Sequence, residues 1–326
     1  MPSPILEVRD LCVDYVTNSG DVRAVDHVDL TVEAGEFLAI VGESGCGKST
    51  LLFAIAQLLS PPAEISGGSV IFKGNDMVQL SPSELRHMRW RDYSVVMQSA
   101  MNALNPMKSI EAQFKDAMAA HGNMSAGAMR DRSAEVLKLV GVDAVHLRSY
   151  PHQLSGGMRQ RAMIAMALLF TPDLVIMDEP TSALDVVAQR SLMIQIKELQ
   201  DRLGFAVIFV THDMSLVSHY SARLAVMYGG QIAEAARTAS LFEKPLHPYS
   251  VGLLDAFPSI HGPRRVLTGI PGSPPDLARP PSGCRFQPRC PQAMPECAVR
   301  QPDLYSVGDS MVRCLLYEAA QPGRPE

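Results

Sequence analysis

Long apolar runs are missing from this sequence of 326 residues. Its longest strongly apolar stretches, residues 38–41 and 162–170, are far shorter than the roughly 18–20 residues that a helix needs to cross a bilayer. The first five residues lack the basic start and apolar core of a secretion signal. We therefore expect a chain that stays in the cytoplasm and reaches a membrane only through its partners.

An excess of positive charge is missing as well. The chain has 29 lysine and arginine residues against 34 aspartate and glutamate residues, a net charge of −5, and no basic run of the kind that binds nucleic acid. Hydrophobic residues make up 47% of the chain and charged residues 19%, so it has enough apolar material for a core. We expect a globular protein whose main partner is not DNA or RNA.

Lysine is absent after Lys244, whereas eleven of the 24 prolines lie between residues 258 and 302. Such a density of proline prevents long helices and central strands. Because domains commonly have about 100–200 residues, two domains are the natural expectation for this length. We predict a main domain over residues 1–255 and a proline-rich, loop-rich extension over residues 256–326.

The main domain alternates strand and helix patterns. Short apolar runs predict strands at residues 6–8, 12–15, 24–32, 37–41, 174–177 and 206–210. A helix is predicted from Lys48 to about Leu59, and helical spacing from residue 99 predicts a helical subdomain of about residues 99–165. This alternation is typical of an α/β fold with a largely parallel sheet.

The strongest motif is the segment Gly42-Glu43-Ser44-Gly45-Cys46-Gly47-Lys48-Ser49, which fits the phosphate-loop pattern and follows a buried strand. Glycines allow successive amide N–H groups to turn towards a β-phosphate at the start of the next helix. Lys48 is expected to reach the β- and γ-phosphates, and Ser49 to place its hydroxyl on Mg²⁺. No second loop of this kind and no internal repeat is present, so we expect one nucleotide-binding unit.

Two carboxylates, Asp178 and Glu179, end the apolar strand at residues 174–177. Asp178 suits Mg²⁺, directly or through water, and Glu179 suits the activation of a water for attack on the γ-phosphate. Paired acids at a strand end are also common in solvated turns. The phosphate loop in the same chain makes the catalytic interpretation the stronger one.

A second anion-binding helix start is predicted after Leu154. Ser155 can cap this helix, and Gly156 and Gly157 clear side chains from its positive end. The alternative is an ordinary capped helix. A second phosphate-binding helix end is useful if it completes the nucleotide site of another subunit.

These motifs resemble those of the ATP-binding subunits of ABC transporters, and the resemblance runs from about residue 5 to the end of the chain. Residues 42–49 resemble the Walker A loop, residues 174–179 the Walker B strand, and residues 154–158 the signature sequence, with Met158 in place of the usual glutamine. The resemblance implies an α/β P-loop NTPase core of the ABC ATPase type, with a helical insertion and a small C-terminal extension containing cysteines. It also implies ATP hydrolysis with Mg²⁺.

The resemblance assigns further roles residue by residue. Gln98 resembles the Q-loop glutamine that senses Mg²⁺, Asp185 belongs to a D-loop, and His212 resembles the switch histidine at the γ-phosphate. Implied catalytic residues are Glu179, His212 and Gln98, and implied Mg²⁺ ligands are Ser49, Gln98 and Asp178. The implied ATP-binding residues are Tyr15, which stacks on adenine, Gly42, Ser44, Gly45, Cys46, Gly47, Lys48, Ser49 and Thr50; the signature residues facing a partner's ATP are Ser155, Gly156, Gly157 and Met158.

Partners also follow from the resemblance. ABC subunits pair head to tail, so this chain is expected to pair with a second ATPase subunit, a related and non-identical chain rather than an identical one. Two transmembrane permease subunits and an extracytoplasmic solute-binding protein complete such importers. The implied location is the cytoplasmic face of the membrane, as a peripheral subunit.

The C-terminal region narrows the subfamily. Residues 247–249, 253–254 and 283–291, the last reading Gly-Cys-Arg-Phe-Gln-Pro-Arg-Cys-Pro, resemble the dipeptide/oligopeptide permease ATPases. The implied cargo is di- or oligopeptides, with nickel complexes and oligosaccharides as alternatives. A soluble ABC ATPase without a transport role is the remote alternative; such proteins have tandem units, an inserted coiled coil or a basic surface.

Four cysteines, Cys284, Cys290, Cys297 and Cys314, lie in the last 43 residues, with gaps of 5, 6 and 16 residues. In a reducing compartment such a set favours a metal site over disulfides. The gaps are wider than the Cys-x₂₋₄-Cys pairs usual for zinc. The resemblance implies a [4Fe-4S] cluster first, zinc second and free thiols third.

Overall fold

The computed structural model describes residues 4–18, 20–98, 103–122, 124–182, 184–256 and 269–320. Backbone contacts divide the chain into two compact units. The first unit comprises Met1–Val32, Leu38–Val78 and Val210–Glu326, and the second comprises Glu33–Phe37 and Gln79–Phe209. In the described parts of the chain, no helix combines the length and the apolar character that a membrane span requires.

Strands are found throughout the described residues. They are β1 Leu6–Tyr15, β2 Val22–Val32, β3 Phe37–Val41, β4 Ala63–Phe72, β5 Asn75–Asp76, β6 Tyr93–Val96, β7 Leu174–Asp178, β8 Ala206–Val210, β9 Arg223–Tyr228, β10 Gln231–Arg237, β11 Tyr305–Val307 and β12 Ser310–Val312.

Helices alternate with these strands. They are α1 Lys48–Ile55, α2 Pro82–Met88, α3 Ile110–Ala119, α4 Ala126–Leu139, α5 Gly156–Ala167, α6 Val186–Leu203, α7 Met214–Tyr220, α8 Thr238–Glu243 and α9 Pro248–Asp255.

The first unit contains an antiparallel sheet in the order β2-β1-β4-β5 and a second run of strands in the order β11-β12-β10-β9-β3. Strand β3 pairs with β9 in parallel, with Leu38 opposite Arg223.

The two segments predicted at residues 6–8 and 12–15 are one strand, β1. Its pairing with β2 shifts register between Val8 and Leu11, where Asp10 has a φ of 49°, and this irregularity hides the continuity of β1 from the sequence pattern.

Helix α1 is shorter than predicted. It ends at Ile55 rather than near Leu59, because Ala56 is the C-cap and Gln57 takes a φ of 52°, outside the helical range. The break is local, since the Gln57 side-chain amide donates to the Ala54 carbonyl at 2.8 Å. The α1 turns that carry the phosphate-loop lysine and serine are unaffected.

The second unit holds the parallel pair β6 and β7, with β8 next to β7, and its helices include α3, α4 and α5. Strands β7 and β8 are fully buried. Ser109 and Ser125 accept backbone N–H groups at the starts of α3 and α4. The predicted limits of the helical subdomain remain a prediction, and its residues 99–102 and 123 lie outside the described residues.

Residues 269–320 form short 3₁₀ turns and the β11–β12 hairpin, whose strand β12 pairs antiparallel with β10, Glu234 opposite Val312. They belong to the first compact unit, together with the phosphate-loop segment. The predicted boundary at residue 255 is next to residues 257–268, which lie outside the described residues, and it remains a prediction.

Candidate functional site

The phosphate-loop segment leaves the buried strand β3 and enters α1 in the first unit. Gly47, the N-cap of α1, has a φ of 103°, and a Cβ on it would lie 2.3 Å from the Ala24 carbonyl oxygen. A Cβ on Gly42 would lie 2.1 Å from the Met227 carbonyl oxygen. At these two positions the loop passes so close to neighbouring backbone that only glycine fits.

The Lys48 side chain points back into this loop. Its ammonium donates to the carbonyl oxygens of Gly42 at 2.8 Å and Glu43 at 2.9 Å, and the residue is only 8% exposed. Carbonyl oxygens are neutral acceptors, whereas phosphate oxygens form charge-assisted bonds with an ammonium. The arrangement therefore holds Lys48 at the loop with weaker partners than a phosphate would provide.

Tyr15 and Thr50 meet beside α1. The Tyr15 hydroxyl is 3.1 Å from Thr50 Oγ1, and Tyr15 is half-buried at the end of β1. The structure thus brings the predicted adenine-stacking tyrosine to the helix that starts with Lys48. His212, also in the first unit, is exposed between β8 and α7.

Cys46 is a buried residue of the loop. Burial raises the pKa of its thiol, although the Lys48 ammonium, 3.8 Å away, acts in the opposite direction. A thiol with a raised pKa stays protonated and is a poor nucleophile. The side chain therefore behaves as a small apolar group in the loop.

In the second unit, Gln98 and Glu179 are brought together from 81 positions apart. The Gln98 side-chain amide donates to Glu179 Oε2 at 2.8 Å. Asp178 is the buried last residue of β7, and Glu179 follows it with a φ of 44°, uncommon for a residue with a side chain. Such conformations concentrate at functional sites. Strand β7 therefore ends in a sharp turn that presents two carboxylates.

The start of α5 has the cap predicted for it. Ser155 Oγ accepts the Met158 N–H at 3.3 Å, as expected of an N-cap. The helix begins at Gly156, six positions before the apolar run at residue 162, because capping rather than hydrophobicity sets its first turn. The predicted signature residues therefore supply the N-cap, Ser155, and the first turn, Gly156, Gly157 and Met158.

Asp185 caps α6, its carboxylate accepting the Ala188 N–H at 2.9 Å. A cavity of about 300 Å³ is lined by Asp185 and by residues from α5 and α6, among them Gly157 and Arg161. The next two side chains of α6, Val186 and Val187, are 79% and 80% exposed. The start of α5, which carries the predicted signature residues, and Asp185, the predicted D-loop residue, thus lie at one cavity of the second unit, beside two exposed valines.

The four C-terminal cysteines lie close enough to influence one another. Burial, with a further contribution from negative charge on Cys284, Cys290 and Cys297, raises the pKa of Cys314 to about 11. The Cys284 N–H donates to the Cys297 carbonyl at 2.8 Å. The extension therefore gathers its four thiols in one region, although 30 positions separate the first from the last.

Three of these sulfurs receive a backbone N–H from the residue two positions later. Each of these hydrogen bonds lowers the thiol pKa that burial has raised. The donors and acceptors are Phe286 N–H to Cys284, Gln292 N–H to Cys290 and Leu316 N–H to Cys314. An N–H directed at sulfur stabilises a thiolate, which is the form that binds a metal. The donor set therefore fits thiolate coordination.

One compact group of metal-ligating atoms occurs among the described residues, and the sequence did not indicate it. Single ligand atoms of Cys12, Asp26 and His27 lie within 4.8 Å of one another. However, the Arg23 guanidinium is 3.8 Å from Cys12 Sγ and 3.7 Å from Asp26 Oδ1, and Arg285 pairs with Asp26 Oδ2 at 2.6 Å. Positive charge is already supplied there, so we assign no metal to this group.

Two further residues contact the phosphate loop and were not predicted from the sequence to do so. Arg289 makes a two-pronged ion pair with the Glu43 carboxylate, at 2.7 and 2.9 Å, and the Tyr249 hydroxyl accepts the Glu43 N–H at 2.9 Å. Both lie more than 200 positions from the loop they contact. The available signal was that both belong to the C-terminal segments singled out above.

A phosphate loop at the start of α1, in the same chain as a second helix that begins with two glycines behind a serine cap, is typical of the class of ABC-type ATP-binding subunits. The profile of the family described as ABC transporter matches residues 25–182, and that described as oligopeptide/dipeptide transporter, C-terminal region, matches residues 233–297. The second profile includes three of the four C-terminal cysteines.

Relatives match almost the whole chain. The dipeptide transport ATP-binding protein DppD of Caldanaerobacter subterraneus is 41% identical over 324 residues, which is 98% of this chain and 99% of that protein. The oligopeptide transport ATP-binding protein OppD of Salmonella typhimurium is 43% identical over 295 residues, 90% of this chain and 88% of that protein.

Solved structures agree with the fold. A dimer of the ATP-binding cassette MJ0796 bound to ADP and Pi has a TM-score of 0.64 at 28% identity, covering 72% of this chain and 98% of that one. The subunit cbiO1 of Clostridium perfringens has a TM-score of 0.63 at 28% identity, covering 76% and 93%. The chain belongs to the ABC transporter ATP-binding subunits of the dipeptide/oligopeptide group, and it is an ATPase with an α/β P-loop fold, as predicted.

Proposed function

We propose that this chain is the ATP-hydrolysing subunit of a membrane importer of di- or oligopeptides. The observation that carries the proposal is that similarity to peptide transport ATP-binding proteins extends through both the ATPase core and the cysteine-containing C-terminal region. Nickel complexes and oligosaccharides are the alternative cargoes. We expect the subunit to act as a peripheral protein at the cytoplasmic face of the membrane.

The proposed roles in ATP binding follow from the chemistry of the first unit. Amide N–H groups of residues 44–48, at the start of α1, would hold the β-phosphate, and Lys48 would exchange its carbonyl partners for phosphate oxygens. Ser49 would provide a hydroxyl ligand for Mg²⁺, and Tyr15 would stack on adenine. Asp178 and Gln98 complete the proposed Mg²⁺ set.

Hydrolysis is assigned to Glu179, with Gln98 and His212 in supporting roles. A carboxylate that accepts a hydrogen bond from a glutamine amide is kept in a defined orientation, which suits a base that takes a proton from water. Water would attack the γ-phosphorus, its proton would pass to Glu179, and the bond to the bridging oxygen of ADP would break, giving ADP and phosphate. His212 would stabilise the charge on the γ-phosphate.

A second ATPase subunit is proposed to complete the nucleotide site. The exposed Val186 and Val187 beside Asp185, and the cavity shared with Gly157, suit an interface in which Ser155, Gly156, Gly157 and Met158 face a partner's ATP. We propose a related, non-identical partner. Two transmembrane permease subunits and an extracytoplasmic solute-binding protein are the remaining partners.

Transport is tested by deleting the gene in its host and measuring uptake of radiolabelled dipeptides and tripeptides. Complementation with the wild-type chain is expected to restore uptake, and Lys48→Ala, which removes the phosphate-binding ammonium, is expected not to. Nickel and a labelled oligosaccharide are measured in the same strains. If the deletion strain took up peptides normally but lost uptake of nickel or of the oligosaccharide, that solute would be assigned as the cargo instead.

We also propose that Cys284, Cys290, Cys297 and Cys314 hold a [4Fe-4S] cluster. All four cysteines are among the described residues, and no three of their sulfurs lie within 4.8 Å of one another. A single tetrahedral zinc ion, in contrast, holds its sulfur ligands about 3.8 Å apart. A larger cluster suits the wider arrangement, and zinc is the second choice. When bound, the group would cross-link segments of an extension that has little apolar core of its own.

Anaerobic purification followed by metal and acid-labile sulfide assays tests this assignment. We expect about four irons and four sulfides per chain. Replacing Cys290 by serine should reduce both, while Cys12→Ser, which alters a cysteine on β1, should leave them unchanged. About one zinc per chain without sulfide would contradict the cluster and favour the second choice.

A further inference from the structure

Glu43, the second residue of the phosphate loop, is held through all three of its polar groups. Its carbonyl accepts the Lys48 ammonium at 2.9 Å, and its N–H donates to the Tyr249 hydroxyl at 2.9 Å. Its carboxylate accepts hydrogen bonds from both terminal nitrogens of Arg289: Nη1 donates to Oε2 at 2.7 Å and Nη2 donates to Oε1 at 2.9 Å. One residue therefore joins the phosphate-binding lysine to the C-terminal region.

The Arg289 guanidinium has little freedom to move. Its side chain is 6% exposed, its Nε donates to the Pro271 carbonyl at 2.8 Å, and Nη1 lies 3.2 Å from the Tyr228 hydroxyl. A planar guanidinium bound on both edges fixes the orientation of its carboxylate as well as the distance. The ion pair with Glu43 is thus a rigid link rather than a surface contact.

Tyr249 is equally fixed. It is fully buried on α9, and its ring centroid lies 4.5 Å from that of Tyr228 and 5.5 Å from that of Phe286. Phe286 belongs to the cysteine-containing segment, so the extension itself forms part of the wall behind Tyr249. The hydroxyl has a set position from which it accepts the Glu43 N–H.

We infer that Arg289 and Tyr249 are positioning residues of the ATP site, which hold Glu43 so that the loop keeps its nucleotide-binding shape. The C-terminal region thereby sets the affinity for ATP. The inference rests on the proposed ATP site at residues 42–49. Without these anchors the loop would populate other shapes, and the measured affinity falls in proportion to the fraction of chains that remain competent.

The test measures the dissociation constant of MgATP for the full chain by isothermal titration calorimetry. Arg289→Met is expected to weaken binding about tenfold, within the roughly 5–150-fold range of typical coupling between sites. Arg300→Met is the control, because Arg300 lies in the same extension but its half-exposed side chain pairs with Glu318 at 2.7 Å rather than with the phosphate loop. It should change the affinity less than twofold.

A double-mutant cycle separates the proposed link from general damage. Glu43→Gln removes the loop end of the pair, and combining it with Arg289→Met should cost no more affinity than the larger single change. Tyr249→Phe keeps the ring and removes only the hydroxyl, with an expected loss of about threefold. Hydrogen exchange of the amides at residues 42–49 should accelerate in each variant and not in Arg300→Met.

The inference would be overturned if Glu43→Gln and Tyr249→Phe bound MgATP as tightly as the wild type with unchanged exchange at the loop, a result that does not depend on Arg289→Met folding. Additive losses in the cycle would equally count against it. Lys48→Ala tells this failure apart from that of the ATP site: if Lys48→Ala also retains full affinity, the site itself is wrongly assigned.

Discussion

Glu179→Gln is expected to lower the rate of ATP hydrolysis by about 10²–10⁴-fold, the contribution usual for a positioned general base. The substitution keeps the shape of the side chain and removes its ability to take a proton from water. The affinity for MgATP should change little, because the Lys48 ammonium and the loop amides that are proposed to hold the phosphates are untouched. Phosphate release and equilibrium MgATP binding are measured on the same preparation.

Glu135→Gln provides the matched control for this change. Glu135 lies on α4 in the same unit and forms an exposed ion pair with Arg132 at 2.8 Å, so its substitution makes the same chemical change away from β7. Its hydrolysis rate should stay within twofold of the wild type. If Glu179→Gln retained more than half of the wild-type rate, another group would have to be the base.

Contiguous motifs were predictable from the sequence because their geometry is local. The phosphate loop needs consecutive amides before a helix, and Gly42 and Gly47 are required because backbone oxygens lie within 2.3 Å of where a Cβ would be. The Ser155 cap was predictable for the same reason, since it acts on a residue three positions later. The family and the fold class inferred from these motifs were confirmed.

Features that depend on distant segments were not predictable. Arg289 and Glu43 are 246 positions apart, and neither belongs to a periodic pattern that would pair them.

The end of α1 and the continuity of β1 depend on single residues with positive φ, Gln57 and Asp10, that no propensity indicates. The roles assigned to Gln98, Glu179 and His212 remain predictions, although the structure places Gln98 and Glu179 in hydrogen-bond contact.

The cysteine region is connected to the core through arginines that adjoin its cysteines. Arg285 follows Cys284 and pairs with Asp26 at 2.6 Å, and Arg289 precedes Cys290 and pairs with Glu43. Both side chains are buried, so each pair tolerates little displacement of its backbone. A group bound by Cys284 and Cys290 would therefore fix the segment that carries both arginines.

Cys290→Ser is accordingly expected to weaken MgATP binding about tenfold, the same loss as is expected of Arg289→Met and within the typical range of coupling between sites. Residues 269–320 should also be cleaved at least tenfold faster in limited proteolysis, because short 3₁₀ turns and a small hairpin leave them with little stability of their own once the thiolate ligand is lost. Calorimetry and timed digestion with mass spectrometry provide the two readouts.

Cys12→Ser is the control, since it makes the same atomic change at a buried cysteine of β1 and should alter neither readout in the extension. The combined variant Cys290→Ser/Arg289→Met decides how the two effects are related. If the cysteine site acts on ATP through Arg289, the double variant should bind MgATP no more weakly than the weaker single variant. If the losses of MgATP affinity multiplied in the double variant, the cysteine site would affect the phosphate loop independently of Arg289. If Cys290→Ser accelerated proteolysis without changing the affinity for MgATP, the role of the cysteine site would be limited to stabilising the extension.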